Sequence, residues 1–133
     1  MAEPILKWVG GKRQLLQELR AHFPILYEEY HEPFVGGGAV FFEMEPTEGS
    51  INDLNRRLIT FYEVIRDYPE DLIVENQRHR YDEDYYYEAR SRFNELHLLE
   101  ERSIEQQIEE ASLMLYLNRT GYNGLYRVNQ SNE

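Results

Sequence analysis

The sequence predicts an α/β fold that begins with alternating strands and helices and continues as a helical region ending in a β-hairpin. The segment FVGGGAVFF, starting at Phe34, has the pattern of a strand end, a glycine turn and a helix. Asp53 follows Gly36 by about 17 positions. A Rossmann-like unit places a carboxylate against ribose hydroxyls at close to this interval. After Pro69 the pattern becomes helical and rich in Glu and Arg.

Composition narrows the class of protein. The 133 residues are enough for one ordinary domain, and they include no cysteine for disulfides or thiolate metal sites. No signal-peptide core or membrane-length apolar run is present, so we expect a cytoplasmic protein without a membrane partner. The net charge of −11 repels nucleic acid unless basic residues gather on one face. An acidic composition of this kind is compatible with a salt-rich cytoplasm and equally with an ordinary, well-solvated protein surface.

The first element is predicted as a loop that leads into a helix. Two glycines precede Lys12, and an apolar face at Leu15, Leu16 and Leu19 indicates a helix of about four turns, ending before Pro24. Such a helix start beside a lysine is suited to a carboxylate or phosphate. Trp8 adjoins this loop, and it serves either as a ligand contact or as a core residue.

Two strands and two helices follow. They are predicted at Tyr30–Val35, Gly38–Met44, Ser50–Asp53 and Asn55–Asp67. The inward face of the last helix is predicted to carry Leu58, Ile59, Tyr62 and Ile65. Phe41 occupies the position of the third glycine in a dinucleotide fingerprint, which favours a nucleoside cofactor without a pyrophosphate. A glycine cluster that serves only a tight turn remains an alternative.

The helical region is predicted to contain three helices, at Asp71–His79, Asp84–Leu99 and Ser103–Asn118. The last carries an apolar stripe at Ile104, Ile108, Ala111 and Leu115. The run Tyr85-Tyr86-Tyr87 resembles a platform for bases. Because consecutive helical residues face different directions, ordinary packing is the favoured interpretation.

The chain closes on NRTGYNGLYRVN, where Asn123-Gly124 is a strong signal for a hairpin turn. Its tyrosine, asparagine and arginine residues could wedge between base steps or donate hydrogen bonds to base edges. A surface hairpin without a ligand is equally compatible with these residues.

Three segments occur in order: PILKWVGGKRQLL, then EPFVGGGAVFF with INDLN, then LNRTGYNGLYRVN. Together they resemble the Dam-like family of adenine-specific DNA methyltransferases, including methylases of GATC restriction–modification systems. The resemblance implies a partial Rossmann-like, S-adenosylmethionine-dependent methyltransferase core over residues 1–68. A helical target-recognition region with a β-hairpin is implied over residues 69–133. The implied reaction methylates the N6 amine of adenine in double-stranded DNA, at a GATC-like target.

The resemblance also implies roles for particular residues. The contacts implied for S-adenosylmethionine are Trp8, Gly11, Lys12, Phe34, Gly36, Gly38 and Asp53. The contacts implied for DNA are Lys7, Arg119, Tyr122, Asn123, Leu125 and Arg127. No metal ligand is implied.

The family's catalytic D-P-P-Y tetrapeptide does not occur in the 133 residues. We therefore expect a chain that corresponds to the N-terminal portion of such an enzyme, is inactive alone and requires the C-terminal half as its partner. Three alternatives remain open at this point. They are a DNA-binding module without chemistry, an oxidoreductase-like nucleotide binder, and an interaction fragment that docks the other half.

Overall fold

The computed structural model describes residues 3–8 and 12–120, which form two compact units that divide between Leu54 and Asn55. In the first unit, a 3-10 turn at Lys12–Leu15 continues as α1 (Leu16–Arg20), followed by β1 (Tyr30–Glu32), α2 (Ala39–Met44) and β2 (Gly49–Ile51). The second unit contains α3 (Arg56–Asp67), α4 (Pro69–Asn76), α5 (Glu83–Leu98) and α6 (Ile104–Thr120). The predicted functional boundary after residue 68 remains a prediction.

The two strands of the first unit pair in parallel, with Tyr30 opposite Gly49 and Glu32 opposite Ile51. They therefore form a small α/β unit in which α2 lies between the strands in sequence. β1 is shorter than predicted because Pro33 follows it and has no N–H for a sheet ladder. Gly49 has a φ of +149°, and a Cβ there would lie 1.7 Å from the Tyr30 carbonyl oxygen. Only glycine permits this pairing.

The prediction of a four-turn first helix is wrong. The 3-10 turn and α1 together end at Arg20, and none of their residues is buried. Leu15, predicted on the apolar face, is 51% exposed. Without a buried face, little packing stabilises a longer helix, because most helical stability in proteins comes from tertiary contacts.

The second unit is organised around α6, which packs against α3, α4 and α5. Residues 110–118 of α6 are buried except for Leu115, so α6 forms the centre of the unit. The core side chains are Leu58, Phe61, Val64, Leu72, Phe93, Leu96, Leu113 and Met114. The predicted three helices after Pro69 are therefore present. Pro69 also begins α4, where its missing N–H costs nothing.

The predicted inward face of α3 is partly wrong. Leu58 is buried as expected, but Ile59, Tyr62 and Ile65 are only half-buried. The buried positions are Arg57, Leu58, Thr60, Phe61 and Val64. Arg57 faces inward because it pairs with buried Glu110, and this rotates the buried face relative to the apolar pattern.

The N-terminus of α3 is capped by the side chain of Asn55. The Asn55 side chain accepts hydrogen bonds from the backbone N–H groups of Arg57 and Leu58, at 3.0 and 3.2 Å. These bonds satisfy donors that have no partner within the helix. Within the described ranges 3–8 and 12–120, no helix is long and apolar enough to cross a membrane.

Candidate cofactor-binding site

The glycine turn lies between β1 and α2, with the backbone at Gly36 and Gly38 in the left-handed region, at φ +53° and +82°. The Gly38 N–H donates to the Val35 carbonyl at 2.9 Å, and Gly38 is the N-cap of α2. The carboxyl ends of parallel strands are the usual location of ligand sites in α/β folds. The predicted turn is therefore present, at the position where such folds bind ligands.

Trp8 packs directly against this turn. A Cβ on Gly37 would lie 2.9 Å from the Trp8 Cβ, and a Cβ on Gly36 would lie 3.3 Å from Trp8 Cδ1. Real Cβ contacts essentially never come as close as the first of these distances. The glycines therefore permit the close approach of the tryptophan as well as the turn itself. Trp8 is half-buried, so part of the residue remains accessible to solvent.

Asp53 is hydrogen-bonded to the same turn. Its Oδ2 accepts a hydrogen bond from the Gly36 N–H at 3.0 Å. The preceding residue, Asn52, accepts from the Val35 N–H at 2.8 Å through its carbonyl. These two bonds fix the segment after β2 against the segment after β1.

Lys12 is held by two acceptors of the same region. Its ammonium lies 2.5 Å from Glu32 Oε2 and 2.6 Å from the Phe34 carbonyl oxygen. An ammonium has three donors, so one remains after these two contacts. The sequence predicted Lys12 beside a bound carboxylate or phosphate, and the structure pairs it with the carboxylate of Glu32.

Sequence reasoning missed Glu32. This residue is only 7% exposed and also accepts a hydrogen bond from the Tyr30 hydroxyl. Burial raises the pKa of Tyr30 far above its ordinary value, and the hydrogen bond to Glu32 raises it further. The signal that could have identified Glu32 is Pro33, because a proline cannot continue the sheet ladder and therefore places Glu32 at the carboxyl end of β1.

The structure brings most of the predicted cofactor contacts together. Lys12, Trp8 and Asp53 each contact residues 34–37, while Phe34 itself is 62% exposed. Gly11 lies outside the described residues. Within the part of the chain that is described, no group of three His, Cys, Asp or Glu residues is arranged to hold a metal ion.

Two of the predicted DNA contacts can be located. Lys7 is exposed in the first unit, and Arg119 is exposed in the last turn of α6. The other four, Tyr122, Asn123, Leu125 and Arg127, lie outside the described residues, as does the predicted hairpin.

The tyrosines of the predicted platform face different directions on α5. Tyr85 packs inward against Tyr116, at 5.4 Å between ring centroids, whereas Tyr87 is 54% exposed. Tyr86 and Tyr87 border an open groove that is also lined by Asp82 and Glu83. Carboxylates at this groove disfavour a phosphate backbone, which supports the packing interpretation.

Comparison with known proteins decides the family. Residues 8–133 match the family described as D12 class N6 adenine-specific DNA methyltransferase. The chain belongs to this family. It is 40% identical over 132 residues to the Type II methyltransferase M1.LlaDCHI of Lactococcus lactis subsp. cremoris, covering 98% of this chain and 45% of that protein.

Two further relatives agree with this membership of the D12 class. The Type II methyltransferase M.MjaIII of Methanocaldococcus jannaschii is 34% identical, with 98% of this chain and 50% of that protein covered. The DNA adenine methylase of Haemophilus influenzae is 36% identical, with 98% and 44% covered. The chain thus spans about half the length of the curated relatives that it matches.

Proposed function

We propose that this chain forms the cofactor-binding and DNA-recognising part of a DNA methyltransferase that modifies the N6 amine of adenine. The observation that carries the proposal is the cluster in which Trp8 and Asp53 both contact the glycine turn at Gly36. Family membership supports the reaction class. The parallel strand pair supports a partial Rossmann-like core.

S-adenosylmethionine fits the residues of this cluster. It supplies a methyl group on a sulfonium, carried by a nucleoside that ends in an amino acid and has no phosphate. In the proposal, Asp53 accepts from the ribose hydroxyls and Trp8 packs beside the nucleoside. Gly11, Phe34, Gly36 and Gly38 supply the surrounding loop contacts.

The pairing of Lys12 with Glu32 extends this assignment. The amino-acid end of the methyl donor carries both an ammonium and a carboxylate. A neighbouring lysine and glutamate offer the opposite charge to each of these groups. We therefore assign Lys12 to the carboxylate and Glu32 to the ammonium, while their mutual contact at 2.5 Å keeps the pair in place before binding.

Double-stranded DNA is the proposed substrate of the second region, over residues 69–133. Lys7 and Arg119 are proposed as phosphate contacts, and Tyr122 as the residue that wedges into the base stack. Asn123, Leu125 and Arg127 are proposed to touch bases or their backbone. A GATC-like target is favoured because arginine pairs bidentately with guanine. A cytoplasmic location accords with this substrate.

Catalysis requires a residue set that the 133 residues do not include. The D-P-P-Y motif of the family accepts hydrogen bonds from the adenine amine after the base has left the duplex. Binding in this chain would align the donor, which is the principal source of acceleration in such a transfer. We propose that the chain alone does not methylate DNA and that it acts with a C-terminal half carrying that motif.

Calorimetry tests the cofactor assignment. S-adenosylmethionine is titrated into the wild-type chain and into Asp53→Asn, with Asp67→Asn as the matched control on an exposed residue. We expect Asp53→Asn to weaken binding about tenfold, since a charged hydrogen bond contributes about 1.5–3 kcal/mol. Equal affinities of the three proteins for S-adenosylmethionine would favour a DNA-binding module without chemistry. Stronger binding of NAD than of S-adenosylmethionine would favour an oxidoreductase-like nucleotide binder.

Fluorescence anisotropy tests the DNA assignment separately. A duplex containing GATC is compared with one in which these four bases are shuffled, for the wild-type chain and for Arg127→Ala. The variant should lose the preference between duplexes, because one bidentate contact to guanine discriminates by about 1–3 kcal/mol. A preference that survives Arg127→Ala would remove this residue from base recognition.

A further inference from the structure

A chain of polar side chains crosses the second unit beside α6. His79, in the segment between α4 and α5, places Nδ1 at 2.5 Å from the Tyr85 hydroxyl and Nε2 at 2.6 Å from the Ser112 hydroxyl. Ser112 is fully buried and donates to Asn76 Oδ1 at 2.6 Å. The chain therefore joins α4, α5 and α6 through a single imidazole.

For a neutral imidazole, counting donors fixes the protons of this chain. The single hydroxyl proton of Ser112 goes to Asn76, so Ser112 accepts from the Nε2–H of His79. Nδ1 then carries the lone pair and accepts from the Tyr85 hydroxyl. All three bonds point the same way, from Tyr85 to Asn76, and such aligned bonds polarise and strengthen one another. This arrangement requires a neutral imidazole.

The same imidazole supports the end of α6. Its ring stacks on Tyr116, with 4.9 Å between centroids, and Tyr116 is only 4% exposed. The Tyr116 hydroxyl donates to the Arg80 carbonyl at 2.8 Å, which ties α6 to the segment that contains His79. The Thr120 hydroxyl donates to the Tyr116 carbonyl at 2.7 Å. The position of Arg119, which is exposed in this turn, therefore depends on the packing of Tyr116.

We propose that neutral His79 is a positioning residue that holds the last turns of α6, and with them Arg119, in the geometry used for DNA. A proton on Nδ1 would reverse the first bond, so that the imidazolium donates to the Tyr85 oxygen. The bonds would then no longer be aligned from Tyr85 to Asn76, and a positive charge would lie in a half-buried position beside Arg78. The role in DNA binding rests on the DNA contact of Arg119 proposed above, whereas the ordering of α6 by His79 does not depend on DNA.

Burial lowers the pKa of His79 below its ordinary value of 6.5, and the neighbouring Arg78 lowers it further, against an opposing effect of Glu75. Other ionisable groups also surround the chain. They are Arg80 and Asp82 from the connecting segment, Tyr85 and Glu88 from α5, and Glu109 and Tyr116 from α6. Because the folded state favours neutral His79, positioning is complete above the ordinary pKa. It is lost as the pH falls through the lowered pKa.

The expected pH dependence has the opposite sign to simple electrostatics. Acidification adds positive charge to a protein as a whole, which strengthens its attraction to phosphates. Loss of affinity in acid is therefore a specific signature of the His79 chain. A general gain of charge cannot produce it.

The first arm of the test needs no DNA. Backbone amide shifts of residues 112–120 and the imidazole shifts of His79 are followed by NMR from pH 8 to pH 5. In the wild-type chain both sets should share one midpoint, below the ordinary histidine pKa of 6.5. In His79→Gln, whose side chain retains a donor and an acceptor but does not titrate, the α6 amides should stay constant. His22→Gln is the matched control and should behave as wild type.

Tyr85→Phe tests the direction of the bonds. Removing the hydroxyl deletes a hydrogen bond to the neutral form, so the midpoint of His79 should rise. A lowered midpoint, or α6 amides that titrate equally in His79→Gln and wild type, would overturn the proposal.

The second arm measures affinity for a GATC duplex by anisotropy at constant salt. Wild-type affinity should fall at least about threefold as the pH is lowered from 7.5 through the His79 midpoint found by NMR, whereas that of His79→Gln should not fall. If wild-type affinity rises in acid as it does in His79→Gln, the positioning role is wrong while the DNA contact stands. If the duplex does not bind at any pH, the proposed function fails, and the NMR arm alone decides whether His79 orders α6.

Discussion

The two units of this chain are built by different means. Among the described residues of the first unit, the buried apolar side chains are Leu6, Val35 and Ala39, and its strands have three residues each. Its order comes from backbone hydrogen bonds, glycines and a Lys12–Glu32 pair. The second unit instead has a deep apolar core around α6.

This difference separates the unit that contains the proposed cofactor site from the unit that contains most of the apolar core. Turns that require glycine or proline can be predicted from a sequence, because few other residues adopt the same backbone conformations. A packed core gives a periodic pattern of apolar residues, but that pattern does not show which charged residues are buried. Single substitutions in each unit test this difference, and the unfolding of each unit is followed by its own spectroscopic probe. Trp8, the only tryptophan, reports on the first unit, and circular dichroism reports mainly on the helices of the second.

The largest effect is expected at Glu110. This residue is 1% exposed and lies 3.2 Å from Arg57 Nε and 3.1 Å from Arg102 Nε. Arg57 also lies over the Phe93 ring, 3.4 Å from its centroid. Glu110→Ala leaves two buried guanidinium groups without this carboxylate. The free energy of unfolding should fall by about 3–5 kcal/mol, as measured by urea denaturation with circular dichroism.

Two controls sharpen that prediction. Arg66→Ala removes an exposed pair with Asp67 and should leave the free energy of unfolding nearly unchanged. Replacing the whole buried set, as Arg57→Met, Arg102→Met and Glu110→Leu together, should recover most of the loss. A loss below about 1 kcal/mol for Glu110→Ala would show that the buried charges do not organise the second unit.

Gly49→Ala should act on the first unit. Its Cβ would lie 1.7 Å from the Tyr30 carbonyl oxygen, at a φ of +149° that alanine rarely adopts. The pairing of β1 with β2 must then shift, at an expected cost of at least about 2 kcal/mol. The urea transition of Trp8 fluorescence should move to lower concentration while the helical signal changes little. Equal movement of both signals would mean that the two units unfold together.

Gly37→Ala should give a smaller effect, and mainly on binding. Its Cβ would lie 2.9 Å from the Trp8 Cβ, so the tryptophan must move away from the turn. We expect calorimetry to show weaker binding of S-adenosylmethionine, by about threefold to tenfold, since misplacing one packed contact costs about 1 kcal/mol. Unchanged affinity would remove Trp8 from the proposed site.

The smallest effect concerns His97. Burial lowers the pKa of His97, and the nearby Arg57 and Arg56 lower it further. The unfolded chain therefore binds more protons below the ordinary pKa of 6.5, so stability is complete above that pH and falls in acid. Between pH 7.5 and pH 5.5 the loss should stay below about 1 kcal/mol, because the ring is only partly buried. His97→Gln should reduce this dependence, and an unchanged dependence would exclude His97 as its source.

The sequence predicted the chemical features of the first unit better than its elements. The glycine turn, Trp8 and Asp53 were identified from motifs and are in contact in the structure. The first helix was predicted too long, because its leucines indicate a buried face that the structure leaves largely exposed. Glu32 was missed because the strand was predicted to continue to Val35, so this carboxylate was not placed at a strand end.

In the second unit the helices were predicted well, but their buried faces were not. The inward turn of Arg57 depends on a partner 53 positions away, and no local pattern reveals such a pairing. The same holds for His79 and Ser112, which are 33 positions apart. Periodicity reports on one helix at a time, whereas these contacts join different helices.

The central claim is that Trp8, the glycine turn and Asp53 form one site for a methyl-donor nucleoside. Trp8 emission can be followed while S-adenosylmethionine is added up to about 1 mM, a range that detects affinities as weak as −4 kcal/mol. We expect a saturable change in Trp8 emission that is lost in Asp53→Ala and is not produced by NAD. Calorimetric binding of S-adenosylmethionine without any change in Trp8 emission, or the same change with NAD, would contradict it.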